Sequence, residues 1–171
     1  MSLNDLIKEL RQATSAGVID CKKALEEAKG DMKRALDLLR QKGAKLAAKK
    51  ASRAARQGKV ESYIHAQGKI GVLVEVNCET DFVAKNEEFQ KFVKDVAMQI
   101  AAMDPKYIKK EEMHQDIPEE EARELHKHMC LLEQSFIKDQ SMTINDYLAS
   151  LIGKIGENIV IRRFTRYQLG E

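Results

Sequence analysis

Residues 60–89, VESYIHAQGKIGVLVEVNCETDFVAKNEEF, change their apolar period partway along, and that change sets the fold class. Val60, Ile64 and Ala66 alternate with Glu61, Tyr63 and His65, Gln67 and Gly68 supply a turn, and Ile70, Val72, Val74 and Val76 resume the alternation. A period of two on either side of a turn predicts a β-hairpin. Its second strand carries Gly71, Leu73 and Glu75 on the other side, so both faces of the sheet are expected to be partly covered. Beyond Asn86 the spacing becomes helical: Phe89, Phe92, Val93, Val96 and Ile100 form one stripe, with Asn86 placed to accept from the first free backbone N–H groups. Strands that hand over to an amphipathic helix predict an α+β unit, a sheet with helices packed against it.

Working outward toward the N-terminus, Leu3, Leu6, Ile7 and Leu10 have helical spacing, and Ser2 with Asp5 forms a capping box. After Gly17, the stripe Val18, Cys21, Ala24, Leu25 and Ala28 predicts a second helix that stops at Gly30, and Asp31 caps a third through Ala35, Leu36 and Leu39 that ends at Gly43. Residues 1–43 are therefore expected to form a three-helix module. Residues 40–59 hold eight basic residues and no acidic one, interleaved with alanines. Lacking an aromatic for base stacking or a Gly-rich phosphate cradle, the stretch reads as a solvated helical linker over 44–58 in preference to an RNA contact. Toward the C-terminus, Pro118 opens a helix through Leu132, Thr143 or Asn145 caps another containing Tyr147, Leu148, Leu151, Ile152 and Ile155, and residues 159–169 supply a third strand. The core is thus expected over 59–171, with a three-stranded antiparallel sheet.

Composition narrows the function. The chain has 171 residues, room for about one ordinary domain and a small one. With 29 Lys and Arg against 27 Asp and Glu, no global field draws it onto nucleic acid or a membrane. The three cysteines are odd in number and far apart, which signals neither a disulfide framework nor a zinc site and fits a reducing cytoplasm. No apolar run approaches the length of a membrane span, and the N-terminal residues lack the pattern of a secretory signal.

Few residues suggest covalent chemistry. His126 and Cys130 share a helical face, but His128 points elsewhere and no fourth ligand is near, so a metal site is not expected. Cys21 and Cys78 have no partner histidine implied by the sequence, and no GxSxG, HExxH, P-loop or GxGxxG pattern occurs. The unusual segment is residues 77–86, NCETDFVAKN, where a strand hands over to a helix. On spacing alone, Thr80 or Asp81 caps a helix and Phe82 belongs to the core.

Four stretches of this chain nonetheless occur together in one known family. The segment NCETDFVAKNEEF at 77–89 resembles the signature of the elongation factor Ts family. In family order, residues 14–36 resemble its N-terminal module, of ubiquitin-associated-like fold, and LLEQSFIKD at 131–139 and KIGENIVIRRFTRY at 154–167 resemble its core and last strand. The resemblance implies a translation elongation factor that is not an enzyme: it binds elongation factor Tu carrying GDP and promotes loss of GDP and Mg²⁺ so that GTP can enter. It assigns Thr80, Asp81, Phe82, Val83, Ala84 and Lys85 to a segment that pushes toward the partner's Mg²⁺ site, with Phe82 as a wedge and Asp81 disturbing the metal's polar shell. It assigns Arg11, Val18 and Ile19 of the N-terminal module to contact with the partner's nucleotide-binding domain. The family often has methionine at the last two positions, so branched side chains stand there instead.

No cofactor or resident metal is implied, nor any membrane or nucleic-acid contact. This chain resembles the short family members, which lack a second core half, so a second copy of the chain is expected to cover the open sheet face in a twofold homodimer. The alternative from another class is a basic RNA-binding or ribosome-associated protein using residues 40–59; an enzyme with a site unseen in the sequence and a ubiquitin-like adaptor explain less of the chain.

Overall fold

The computed structural model describes residues 2–14, 16–113 and 118–171. The chain divides into two compact units, one of Met1–Arg53 with Leu148–Asn158, the other of Ala54–Tyr147 with Ile159–Glu171.

In the helical unit, α1 (Leu3–Thr14) opens with the reciprocal cap the sequence implies: Ser2 N–H donates to Asp5 Oδ2 at 3.0 Å and Asp5 N–H to Ser2 Oγ at 3.3 Å. α2 (Val18–Glu27) closes where Gly30, at φ +83°, sends its N–H back to the Leu25 carbonyl at 2.9 Å, which satisfies a carbonyl the helix end leaves free. Leu10, Cys21, Ala24, Leu25, Ala28 and Ala35 are its buried centre, with Leu6, Ile7, Leu36 and Leu39 packed around them. Val18, placed by spacing on the α2 stripe, lies at its rim and is 49% exposed.

The third helix departs from expectation. Asp31 caps α3 (Met32–Lys50) through Arg34 N–H at 3.0 Å, but the helix runs straight through Gly43 and absorbs the first half of the expected linker. Gly43 packs against another helix. A Cβ there would stand 3.4 Å from the Ala149 carbonyl oxygen, and one on Gly153 would stand 4.0 Å from the Gly43 Cα. Both glycines thus lie where α3 meets α7 (Ile144–Ile155), and a Cβ on either would be in ordinary van der Waals contact there. Asn158, almost fully buried, donates to the Arg53 carbonyl at 2.7 Å, and Lys50 donates to that of Gly156, so the end of α3 is tied down.

The second unit is built on β1 (Gln57–His65), β2 (Ile70–Cys78) and β5 (Ile159–Gln168), an antiparallel sheet in the order β1-β2-β5. α5 (Glu87–Met103), capped by Asn86 Oδ1 from Glu88 N–H at 2.9 Å, packs on β1 and β2 and buries Phe89, Phe92, Val93, Val96 and Ile100 against Val72, Val74 and Val76. The register pairs Tyr63 with Val72 and Ile64 with Gly71. The apolar alternations of the two strands therefore point to opposite faces. Val60 and Ile64, with Leu73 and Tyr167, lie 62%, 65%, 49% and 74% exposed on the side away from α5.

Between α5 and β5 the chain forms α6 (Glu119–Met129), a 3₁₀ turn at Leu131–Glu133, and a small hairpin of β3 (Ser135–Phe136) and β4 (Asp139–Thr143). The helix expected through Leu132 thus stops at Met129. The hairpin, absent from the sequence reading, is held from below: buried Gln99 donates to Gln134 Oε1 at 3.2 Å and the Ser135 carbonyl at 3.1 Å, and accepts from Ile137 N–H at 2.9 Å. Thr143, not Asn145, caps α7, accepting from Asp146 N–H at 3.1 Å.

Candidate functional site

The segment between β2 and α5 folds into one turn of helix, α4 (Asp81–Ala84). Its shape follows from local donors and acceptors. β2 ends at Cys78, whose buried thiol donates to the Thr80 carbonyl at 3.2 Å. Thr80 is extended and its Oγ1 accepts from Val83 N–H at 3.4 Å, the N-cap expected of it. Lys85 N–H returns to the Asp81 carbonyl at 3.2 Å, and Asn86 N–H to that of Val83 at 2.9 Å, before Asn86 starts the next helix. Gln90, one turn into α5, donates to the Ala84 carbonyl at 3.4 Å. So brief a helix has no stability of its own, and these contacts with packing against β1, β2 and α5 hold it.

Held this way, α4 turns its apolar ring outward. Phe82 is 81% exposed, whereas Phe89 and Phe92 in the next helix are fully buried. The core position that spacing alone assigns to Phe82 is therefore overturned: in so short a helix flanked by caps on both sides, the turn directions decide the side-chain direction, and the α5 period does not extend back to it. Val83 and Ala84 are half-buried and anchor the turn, while Asp81 and Lys85 are exposed. The Lys85 ammonium lies 2.9 Å from Asp81 Oδ2, and its hydrogen bond holds the Asp81 carboxyl below the ordinary carboxylate range. Asp81 is thus ionised throughout the neutral range. The arrangement offers an exposed ring beside a carboxylate.

Arg11 on α1 and Val18 and Ile19 in the first turn of α2 are exposed on the helical unit, Ile19 to 70%. Their neighbour Asp20 is paired with Lys42 on α3 at 2.6 Å. Among the described residues, no group of three or more His, Cys, Asp or Glu is placed to hold a metal ion, and no helix is long and apolar enough to cross a membrane. Cys130 is buried, and burial raises its thiol pKa, away from the ionised form that would react or ligate. Cys21 is buried with the same consequence.

Of the residues that hold α4, the sequence singles out Cys78 only as part of the 77–86 segment, and Gln90 not at all. Nothing short of the fold signals that a thiol and an amide will meet the two carbonyls at the ends of α4.

Comparison with known proteins bears on the whole chain. The family model described as elongation factor TS matches residues 3–128. Elongation factor Ts of Carboxydothermus hydrogenoformans is 50% identical over all of this chain and 90% of its own length. Those of Caldanaerobacter subterraneus subsp. tengcongensis and Geobacter metallireducens are 51% and 53% identical, each over 96% of this chain and over 95% and 88% of their own lengths. With such identity sustained from end to end, the chain belongs to the elongation factor Ts family of translation elongation factors.

Proposed function

We propose that this protein is a guanine-nucleotide exchange factor: it binds elongation factor Tu in its GDP-bound form, promotes release of GDP and Mg²⁺, and leaves a nucleotide-free partner that GTP then occupies. The observation that carries the reading is Phe82, a large apolar ring held 81% exposed on a capped single-turn helix. A ring left in water gains by burial in a partner, and a partner that opens to take it can no longer close around its nucleotide. No covalent bond is made or broken. The step is negative coupling between two ligands of one protein, so GDP weakens the grip of the exchange factor by the same factor as the exchange factor weakens GDP.

In this reading Phe82 is the wedge, Asp81 disturbs the polar shell of the partner's Mg²⁺, and Thr80, Val83, Ala84 and Lys85 fix their pose. Arg11, Val18 and Ile19 dock the helical unit on the partner's nucleotide-binding domain. The face of the sheet away from α5 exposes Val60, Ile64, Leu73 and Tyr167 together, a patch that a second copy of the chain covers in a twofold dimer. The work belongs in the cytoplasm and needs neither membrane nor nucleic acid.

Substoichiometric amounts of the chain should accelerate release of labelled GDP from elongation factor Tu, turning over many partners each. Unchanged release at stoichiometric excess would refute the exchange function. Sedimentation at tens of micromolar should report twice 19.4 kDa, and a strict monomer would remove the dimer alone.

A further inference from the structure

The face of the sheet away from α5 is apolar around Ile64, Leu73 and Tyr167 but polar at the end where β2 leaves for α4. There, Asn77 Nδ2 donates both to the Gln57 carbonyl on β1 and to Glu75 Oε1 on β2, each at 3.2 Å. Glu75 Oε2 accepts from Arg163 Nε on β5 at 2.7 Å. One side-chain chain therefore runs from edge to edge across all three strands. It sits beside a register shift between Glu75 and Val76, where the β2–β5 ladder is irregular, and beside Gly58, whose missing Cβ would fall 2.1 Å from the Val76 carbonyl oxygen. The backbone is least regular here, and only two residues separate Asn77 from the Thr80 cap.

We propose that Asn77 is a positioning residue for nucleotide exchange. Its amide ties the first residue of β1 to the departing end of β2 and so fixes the direction in which α4 presents Phe82. An amide suits the place: one NH₂ group supplies two protons, to a carbonyl on one side and a carboxylate on the other. The carboxylate is itself held, since Arg163 and then Asn77 keep the Glu75 carboxyl below its ordinary range. Asn77 touches nothing that reacts. It acts through α4, and the claim rests on the exchange reading given above.

The test uses the full-length chain with Asn77→Ala and Asn77→Asp, the second replacing the shared donor by a carboxylate facing Glu75. In the free protein, hydrogen exchange of the amides that form and close the α4 turn, those of Val83, Ala84, Lys85 and Asn86, should speed up at least tenfold in both variants, while amides within α5 and the melting temperature stay near wild type. With elongation factor Tu, the maximal rate of GDP release should fall about tenfold or more and the half-saturating concentration shift less than threefold, because docking through the helical unit is untouched. Asn77→His, which keeps a ring N–H donor, should recover part of the rate. Unchanged α4 protection in Asn77→Ala and Asn77→Asp, or a loss of rate that merely follows early melting, would overturn the assignment. Phe82→Ala separates the two readings: normal exchange by that variant sinks the wedge itself, whereas slow exchange by it beside normal exchange and unchanged α4 protection in the Asn77 variants sinks only the positioning role.

Discussion

Phe82 and Phe92 stand ten positions apart in one sequence, and water reaches 81% of the first and none of the second. Phe92 lies on the α5 stripe and meets the Tyr147 ring edge-on at 4.9 Å between centroids, inside a core that includes Phe89 and Val93. Phe82 lies on a four-residue helix whose hydrogen bonds are nearly all to residues within six positions. Burial of Phe92 is repaid in folding, since an apolar side chain taken from water stabilises by about 1.5–3 kcal/mol. Exposure of Phe82 gives up that stabilisation, which leaves it available to be realised in a complex.

The strongest way to sharpen the contrast is to truncate the buried ring. Phe92→Ala should lower stability by about 3–5 kcal/mol, the usual cost of a large-to-small change in a packed core, measured by urea unfolding. A loss below about 1 kcal/mol would mean that Phe92 is not the core residue described, and the comparison with Phe82 would lose its meaning.

Next is the backbone on which α4 rests. Gly58 adopts φ +145°, where other residues are strained, and has a carbonyl oxygen in the way of any Cβ. Gly58→Ala should cost about 1–3 kcal/mol in thermal or urea unfolding. Unaltered stability would show that β1 can move away from Val76 and Asn77 freely.

A smaller effect concerns Tyr147, which packs on Phe92 and donates to Asp95 Oδ2 at 3.0 Å. Burial first, and then the Asp95 charge, push the phenol well above its ordinary value of 10.0. The phenolate is thus disfavoured in the folded chain and accessible in the unfolded one. The stabilisation is complete below about pH 10 and is lost progressively as pH rises above it toward the raised folded value. Tyr147→Phe should cost about 1–3 kcal/mol at neutral pH through the lost hydrogen bond to a charged group. The gap between the two proteins should then narrow above about pH 10, because phenylalanine does not titrate there. A constant gap up to pH 11 would contradict the raised pKa.

The smallest effect on folding is expected at Lys85, whose ion pair with Asp81 is exposed on both sides. Lys85→Ala should leave the melting temperature within error, since exposed pairs commonly contribute nothing measurable. A drop of several degrees would make that pair part of the α4 scaffold.

How much of this could be read from residues alone depends on whether the cause is local. The capping box at Ser2 and Asp5, the Asn86 cap and the α5 stripe were legible because the partners lie within one helical turn of each other. The three strands were legible from alternation, but their facing was not. Whether Ile64 stands over the core or over solvent depends on the β1–β2 register, and that is set by a turn with Ala66, Gln67 and Gly68 all at positive φ. Gly43 reads as a helix stop until α7, over a hundred residues away, is seen to cross it. The β3–β4 hairpin escaped notice because its first strand is only two residues long and it is braced from another element, where Gln99 bonds the Ser135 carbonyl and the Ile137 N–H. At the candidate site, Thr80 as cap was legible and the direction of Phe82 was not. Apolar spacing points it inward, the resemblance to the elongation factor Ts family pointed it outward, and the geometry agrees with the latter.

The most direct measurement is made on Phe82→Ala alone, with thermal unfolding and GDP release from elongation factor Tu followed on the same preparation. An exposed ring that serves the partner predicts an unchanged melting temperature and a steep fall in the rate of release. A variant that melts early, yet releases GDP at the wild-type rate wherever it is folded, would show that Phe82 belongs to the fold and that exchange is driven from elsewhere in the chain.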